Sequence, residues 1–146
     1  MKHLEHYNVL TDCQHGFRAK RSTETQLILT IYYLANAVKN GEPVHAAVLD
    51  FSKAFDKVPH QRLLKKLCYY GIDWNFLLWF ESFLTKRHQS VVCDGKVSNP
   101  SPVTSGVPQG TVLGPLLFLL YINDLPDNLV YCEAFRRWCI IIRGAH

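Results

Sequence analysis

Ala46 to Val58, AAVLDFSKAFDKV, limits what this chain can fold into more than any other stretch. Its β-branched apolar run reads as a strand that ends on a carboxylate, Asp50, and Phe55 and a second carboxylate, Asp56, follow within one turn's reach. A buried strand with an acidic last residue suits metal-ion chemistry, because the strand fixes the ligand while the carboxylate meets a divalent cation at the strand's open end. An Asp at a strand end also caps the helix that follows, and spacing alone favours that structural reading.

The chain has 146 residues, 48% of them hydrophobic and 12% aromatic, which is enough for one globular core and carries no signature of disorder. One domain, or part of a larger one, is expected. The net charge of +4 is modest, but the basic residues cluster: Arg18, Lys20 and Arg21; Lys65 and Lys66; Lys86, Arg87 and His88; Arg136, Arg137 and Arg143. Such clusters suit phosphates, although Lys65 and Lys66 are better read as a solvated helix face. Five scattered cysteines, none in a Cys-x-x-Cys pattern with histidine partners, indicate neither a disulfide framework nor a zinc site. MKHLEHYNVL lacks the apolar core of a signal peptide, so a reducing compartment is expected. The longest apolar run, Val112 to Ile122, is too short and too broken by Gly114 and Pro115 to span a bilayer, and reads as buried core with no membrane role.

In chain order, QHGFRAKRSTETQ reads as a basic loop in which Gly16 allows close backbone approach. Thr23 and Gln26 fit a capping box for a helix whose apolar positions are Leu27, Ile31, Leu34 and Val38 and whose stop is Gly41. A basic loop before a helix N-terminus is a candidate anion site, weighed against a plain solvated loop. After the strand, Leu63, Leu64, Leu67 and Cys68 predict a second helix closed by Gly71, and Asp73 caps a third. In that third helix Phe76, Leu77, Phe80 and Leu84 share a face with Trp79 and Phe83 nearby, and these aromatics are expected in the core. Ser90 to Ser98 reads as a β-hairpin turning at Asp94-Gly95. SPVTSGVPQGTVLGPLLFLLYINDLP then packs five glycines and prolines into ten residues before a buried helix at Leu116 to Ile122. Such a turn lets a backbone lie against a flat ligand, with Gln109 offering donor and acceptor together; a plain loop is the alternative.

Taken together, QHGFRAKRST, VLDFSKAFDKVPH and TSGVPQGTVLGPLLFLLYINDL, in this order and at these separations, resemble the reverse transcriptase domain of non-LTR (LINE-type) retrotransposons over Gln14 to about Leu129. The resemblance implies an α/β (α+β) chain, a partial right-hand polymerase fold of fingers and palm, with amphipathic helices packed on a small antiparallel sheet that holds Ala46 to Phe51 and the Asp94-Gly95 hairpin. Residues 1–130 would form this domain and 131–146 an aberrant tail. It implies Asp50 as the first catalytic aspartate, with the backbone carbonyl of Phe51 as a further metal ligand. Phe55 would exclude a 2′-hydroxyl, because a ring packed under C2′ leaves it no volume. Gln109 would contact the incoming nucleotide and Gly110 would let the chain approach it. Arg18, Lys20 and Arg21 would meet the triphosphate or template backbone, guanidinium forks being suited to phosphate oxygens. The implied cofactor is Mg²⁺ and the implied partners are an RNA template, a DNA primer and dNTPs. The implied location is intracellular, cytoplasm and nucleus.

Two-metal phosphoryl transfer needs several convergent carboxylates, and only Asp50 is in place. The Phe-Ala-Asp-Asp turn that the resemblance leads one to expect is replaced by LVYCEAFRRWCIIIRGAH. Asp124 and Asp127 fall in the turn after the buried helix, where Asp usually caps, and Asp56 is expected to cap or pair within the fold. Phe135 to Trp138 can be encoded by TTC CGA CGA TGG, which read one base later contains GAC GAT, Asp-Asp; a shifted frame would explain the tail. Cys139 to Ile142 would imitate one of the missing strands. A fragment that is inactive by itself is the expectation, against a non-catalytic nucleic-acid-binding remnant or a decayed reading frame. Apolar surface left uncovered on the sheet predicts poor solubility.

Overall fold

The computed structural model describes residues 2–128, 132–135 and 138–144. In chain order the helices and strands are α1 (Lys2–His6), α2 (Thr23–Lys39), β1 (Val44–Asp50), α3 (His60–Tyr69) and α4 (Trp74–Leu84). Four two-residue strands follow, β2 (His88–Gln89), β3 (Val92–Cys93), β4 (Lys96–Val97) and β5 (Ser101–Pro102). Then come α5 (Leu113–Ile122), a 3₁₀ turn at Leu125–Asn128, β6 (Cys132–Phe135) and β7 (Trp138–Gly144). The fold is mixed α/β with small antiparallel sheets, as expected of a partial polymerase hand. Contacts divide it into two compact units, Met1–Ser52 with Ile122–His146, and Lys53–Tyr121. Among the described residues no helix is long and apolar enough to cross a membrane.

In the first unit, Leu4 and Leu10 are buried and the stretch between them and α2 is tied down by Asn123. The Asn123 Nδ2 donates to the Val9 carbonyl at 2.7 Å and its Oδ1 accepts from the Thr11 N–H at 2.9 Å, so a buried amide is satisfied on both sides. α2 begins one residue earlier than Thr23 and Gln26 suggested: Ser22 is the N-cap, and the reciprocal box pairs it with Thr25. Gln26 is instead buried on the inner face of the helix, where Thr30 bonds back to its carbonyl at 3.0 Å. The stop is as expected. Gly41 takes φ +70, its N–H reaches the Val38 carbonyl and the Glu42 N–H reaches Ala37, the double bond of a Schellman end. The expected apolar stripe is overturned: Leu27, Ile31 and Val38 are exposed, Ile31 by 63%, because the helix turns Gln26 and Thr30 inward.

β1 runs as predicted to Asp50 and pairs antiparallel with β7 along its whole length, Val44 opposite Gly144 and Asp50 opposite Trp138. β6 adds on the far side of β7, giving the order β1-β7-β6, and α2 lies against β6 and β1. Cys139 to Ile142 thus does form a sheet strand. β1 is not the buried strand that its composition suggested: it is the edge of a three-stranded sheet, and Val48 and Leu49 stay exposed.

In the second unit α3 and α4 pack as a helical hairpin on Leu63, Leu67, Leu77 and Leu84. Gly71, at φ +73, ends α3 with the same double bond, to Cys68 and Leu67, and the Asp73 carboxylate accepts from the Asn75 N–H to start α4. The α4 aromatics are not core: Phe76 is 60% and Trp79 50% exposed, because Leu77 and Leu84 already fill the buried stripe. Trp79 and Phe83 stack one turn apart at 5.2 Å between ring centroids. The Asp94-Gly95 hairpin forms, with both turn residues at positive φ as a two-residue connection requires. It stands as its own two-stranded ribbon and does not join the sheet of β1 as expected. α5 is buried through Leu117, Phe118, Leu119 and Leu120, the all-round burial of a core helix. Lys66 is no solvated lysine: its Nζ donates to the Tyr121 carbonyl at 2.5 Å and sits 4.9 Å from that ring's centre, a cation closing a helix C-terminus.

Candidate functional site

A closely bonded constellation joins the two motif loops of the second unit. After β1 the chain turns through Lys53, held at φ +52, with the N–H groups of Asp56 and Lys57 both on the Lys53 carbonyl. The Ser105 to Gln109 segment lies against this turn. The Gly106 N–H donates to the Val58 carbonyl and the Val107 N–H to the Phe55 carbonyl, both at 2.8 Å, and the Ser105 hydroxyl donates to Asp56 O at 2.8 Å. Gly106 sits at φ +90, and a Cβ there would meet the Asp56 backbone at 2.8 Å, so only glycine allows this approach. Its carbonyl accepts from His60 Nε2 at 2.9 Å and from Arg87 Nη2 at 3.0 Å.

Two of the predicted nucleotide residues are presented by this joint. The Gln109 Nε2 donates to Asp56 Oδ1 at 2.9 Å, which fixes the amide and gives Asp56 the in-fold partner expected of it. The Phe55 ring is stacked on Phe118, 4.6 Å between centroids and 26° between planes, so its orientation is set by the core helix α5. Gly110 is exposed at φ +75 with nothing within 4 Å of where a side chain would begin. Open space beside a left-handed glycine is what close approach by a ligand needs. An open cleft of about 710 Å³ runs beside the joint, with Lys53, Asp56, Arg87, His88 and Gln109 among its walls. Arg87 is held there by a second bond, from Nε to the Leu84 carbonyl at 3.0 Å.

Asp50 and Phe51 belong to the first unit, at the exposed C-terminal end of β1. A two-ion centre needs several convergent carboxylates. Among the described residues no three His, Cys, Asp or Glu side chains converge on a common point. Asp50 with the Phe51 carbonyl supplies one carboxylate and one carbonyl, so the described residues do not fit a two-ion centre. Asp124 lies in the turn after α5 as predicted, the Asp127 side chain lies outside the described residues, and so do Arg136 and Arg137.

The basic loop is also in the first unit. Arg21 donates to Asp12 Oδ1 at 2.6 Å and to the Asp12 carbonyl, and Arg18 donates to the Thr11 carbonyl at 2.6 Å while standing 3.6 Å from the same carboxylate. Asp12 therefore draws both guanidiniums together. Lys20 is exposed at φ +60. His15, buried behind them, has Nδ1 at 2.9 Å from the Thr25 hydroxyl, which donates its own proton to the Ser22 carbonyl, so the imidazole proton sits on Nδ1. Nε2 then faces Arg21 at 3.5 Å. Burial first, then the nearby Arg21 and Arg18 charges, hold the His15 pKa below its ordinary value, with Asp12 opposing. The Ser22 hydroxyl, and then its own backbone N–H, lower the carboxyl pKa of Glu24 in the first turn of α2.

Sequence reasoning missed His60, Arg87, Lys66 and Asn123. Each serves a backbone carbonyl distant in sequence, and only the -VPH- of the motif and the Arg87 cluster hinted at two of them.

The mixed α/β fold with small antiparallel sheets is consistent with part of a polymerase of the reverse transcriptase class. Residues 1–135 match the family described as reverse transcriptase (RNA-dependent DNA polymerase), and the chain belongs to that family. It is 38% identical over 121 residues to the RNA-directed DNA polymerase from mobile element jockey of Drosophila melanogaster, covering 83% of this chain and 13% of that protein. It is 35% identical over 139 residues to the probable RNA-directed DNA polymerase from transposon BS of the same species, covering 91% of this chain and 15% of the relative. A Pol polyprotein from a type-1 retrotransposable element R2 of Popillia japonica is 29% identical over 107 residues, 73% of this chain and 18% of its own length. These relatives are non-LTR retrotransposon polymerases, and the chain spans less than a fifth of each. The family in general works with a divalent metal, an RNA template and nucleotide substrates.

Proposed function

We propose that this chain carries fingers and palm elements of a non-LTR retrotransposon reverse transcriptase, whose full-length parent adds dNTPs to a DNA primer on an RNA template. The observation that carries this reading is the bonded pair of loops, with the Gln109 amide held on Asp56 next to Phe55. In this reading Gln109 offers its remaining amide proton and its oxygen to the nucleotide, Gly110 admits the backbone to it, and the Phe55 ring, stiffened by Phe118, leaves no room for a 2′-hydroxyl. Asp50 is the first acidic residue of the parent's magnesium centre, with the Phe51 carbonyl beside it. Arg18, Lys20 and Arg21 serve phosphate, the two arginines by exchanging Asp12 for a phosphate oxygen. The parent would be made in the cytoplasm and act at chromosomal DNA.

The test is nucleotide binding by the full 146-residue chain. dATP is expected to bind more tightly than ATP, and Phe55→Ala to remove most of that difference while leaving dATP binding in place. Equal affinity of the unaltered chain for both, or no binding of either, overturns the reading. With no three metal-ligating side chains converging among the described residues and Asp50 the one carboxylate at the end of β1, no magnesium-dependent primer extension is expected from this chain alone; extension product would show that the missing ligands are present after all. The single carboxylate also favours a second reading, a nucleic-acid-binding remnant without chemistry, for which RNA binding that weakens steeply with salt is the expected result and no binding at low salt the refutation.

A further inference from the structure

We infer that His60 and Arg87 are positioning residues for the nucleotide loop: by holding the Gly106 carbonyl between them they set where Gln109 presents its amide. The inference rests on the nucleotide reading of Gln109 given above. A carbonyl oxygen has two lone pairs, and here both are used, by His60 Nε2–H at 2.9 Å and Arg87 Nη2–H at 3.0 Å. The carbonyl can only accept, so the His60 imidazole carries its proton on Nε2. The other side of the same turn is bonded as firmly, through the Gly106 and Val107 N–H groups to Val58 and Phe55. The backbone of Asp56 fills the space where a Cβ would stand. The peptide at Gly106 therefore has one orientation, and Gln109 follows it by three residues to meet Asp56 at 2.9 Å.

The donors and acceptors come from different places. Phe55 and Val58 belong to the turn after β1, whereas His60 opens α3 and Arg87 follows α4, so the packed helical hairpin dictates the loop's place from one side and the motif turn from the other. His60 is only 6% exposed, and a side chain needed for bulk alone would be apolar there. A donor at the position of Nε2 is what the site requires. Gln places its amide nitrogen near that position; Leu fills comparable volume and donates nothing.

The experiment uses the full chain labelled with ¹⁵N. The side-chain amide signals of Gln109, assigned by their loss in Gln109→Ala, report the Asp56 bond directly, dATP titration reports binding, and the thermal midpoint is followed in parallel. His60→Leu is expected to move the Gln109 signals toward those of a free glutamine and to weaken dATP about tenfold, the effect of roughly one lost hydrogen bond. His60→Gln is expected to restore both. Arg87→Met should act in the same direction as His60→Leu. A folded His60→Leu chain with unmoved Gln109 signals and unchanged dATP affinity overturns the inference, and so does a His60→Gln chain as impaired as His60→Leu, since bulk would then be what matters. Should His60→Leu not fold, Arg87→Met decides: shifted Gln109 signals support positioning, unshifted ones overturn it. If the unaltered chain binds no dATP, the nucleotide reading fails while the Gln109 signals still decide the positioning.

Discussion

Two glycines of one loop answer to different demands. At Gly106 a methyl group would collide with the Asp56 backbone at 2.8 Å and the residue is left-handed as well, whereas at Gly110 the left-handed φ of +75 is the only obstacle. Gly106→Ala is therefore expected to destabilise the chain by about 3 kcal/mol or more, and Gly110→Ala by only about 1 kcal/mol, measured as the shift in urea midpoint. Comparable losses at the two positions would contradict the close approach. His15 gives a residue-level dependence on pH. Its folded-state pKa lies below the unfolded one, so the unfolded chain takes up the proton first. Stability is then fully present above the ordinary histidine pKa of about 6.5 and falls as pH drops from there toward the lowered folded value. The thermal midpoint should fall between neutral and mildly acidic pH, and His15→Gln should flatten that slope; the groups facing the ring are Arg21, Arg18, Asp12 and Thr25. Asp50, Gln109 and Gly110 were visible in the sequence because a strand end and a cluster of chain breakers are local patterns. His60 and Arg87 were not, because what gives them meaning is a carbonyl 46 and 19 positions away.

Elements were legible where punctuation was strong. Gly41 and Gly71 ended their helices as read, Asp73 began α4, and Asp94-Gly95 turned the hairpin, all by backbone chemistry confined to a few residues. Which face a helix buries is not a local matter. The helical spacing of Leu27, Ile31, Leu34 and Val38 on α2 suggests an inner stripe, yet three of the four are exposed and the helix turns Gln26 and Thr30 inward, and α4 leaves Trp79 in solvent because two leucines suffice for its contact with α3. The cap was misplaced by one residue for a simpler reason: Ser22 and Thr23 are both able caps, and the fold chose the one whose partner, Thr25, also receives His15. Ser22→Ala is expected to cost about 1 kcal/mol in thermal unfolding, and Thr23→Ala much less. The reverse order would reinstate the sequence-derived box.

At the scale of the whole chain, uncovered apolar surface dominates. Ile28, Ile31 and Val38 on α2, Val48 on β1 and Trp74, Phe76 and Trp79 on α4 are exposed by half or more, and exposed large apolar side chains favour association. Sedimentation should show mass rising with concentration, and the paired change Phe76→Glu with Trp79→Lys should reduce it without lowering the thermal midpoint. A strictly monomeric unaltered chain at high concentration would show that this surface is not sticky. The route of the chain through its two units also bears on how it is made. Lys53–Tyr121 is one uninterrupted stretch, while the first unit is split around it and closes its sheet by joining Val44 to Gly144. During synthesis, then, the unit that holds Gln109 has all its parts once Tyr121 has left the ribosome, and β1 waits for β7 to emerge. The cradle for the loop at residues 106–109 is complete first, and the edge that carries Asp50 gains its ladder only when β7 follows.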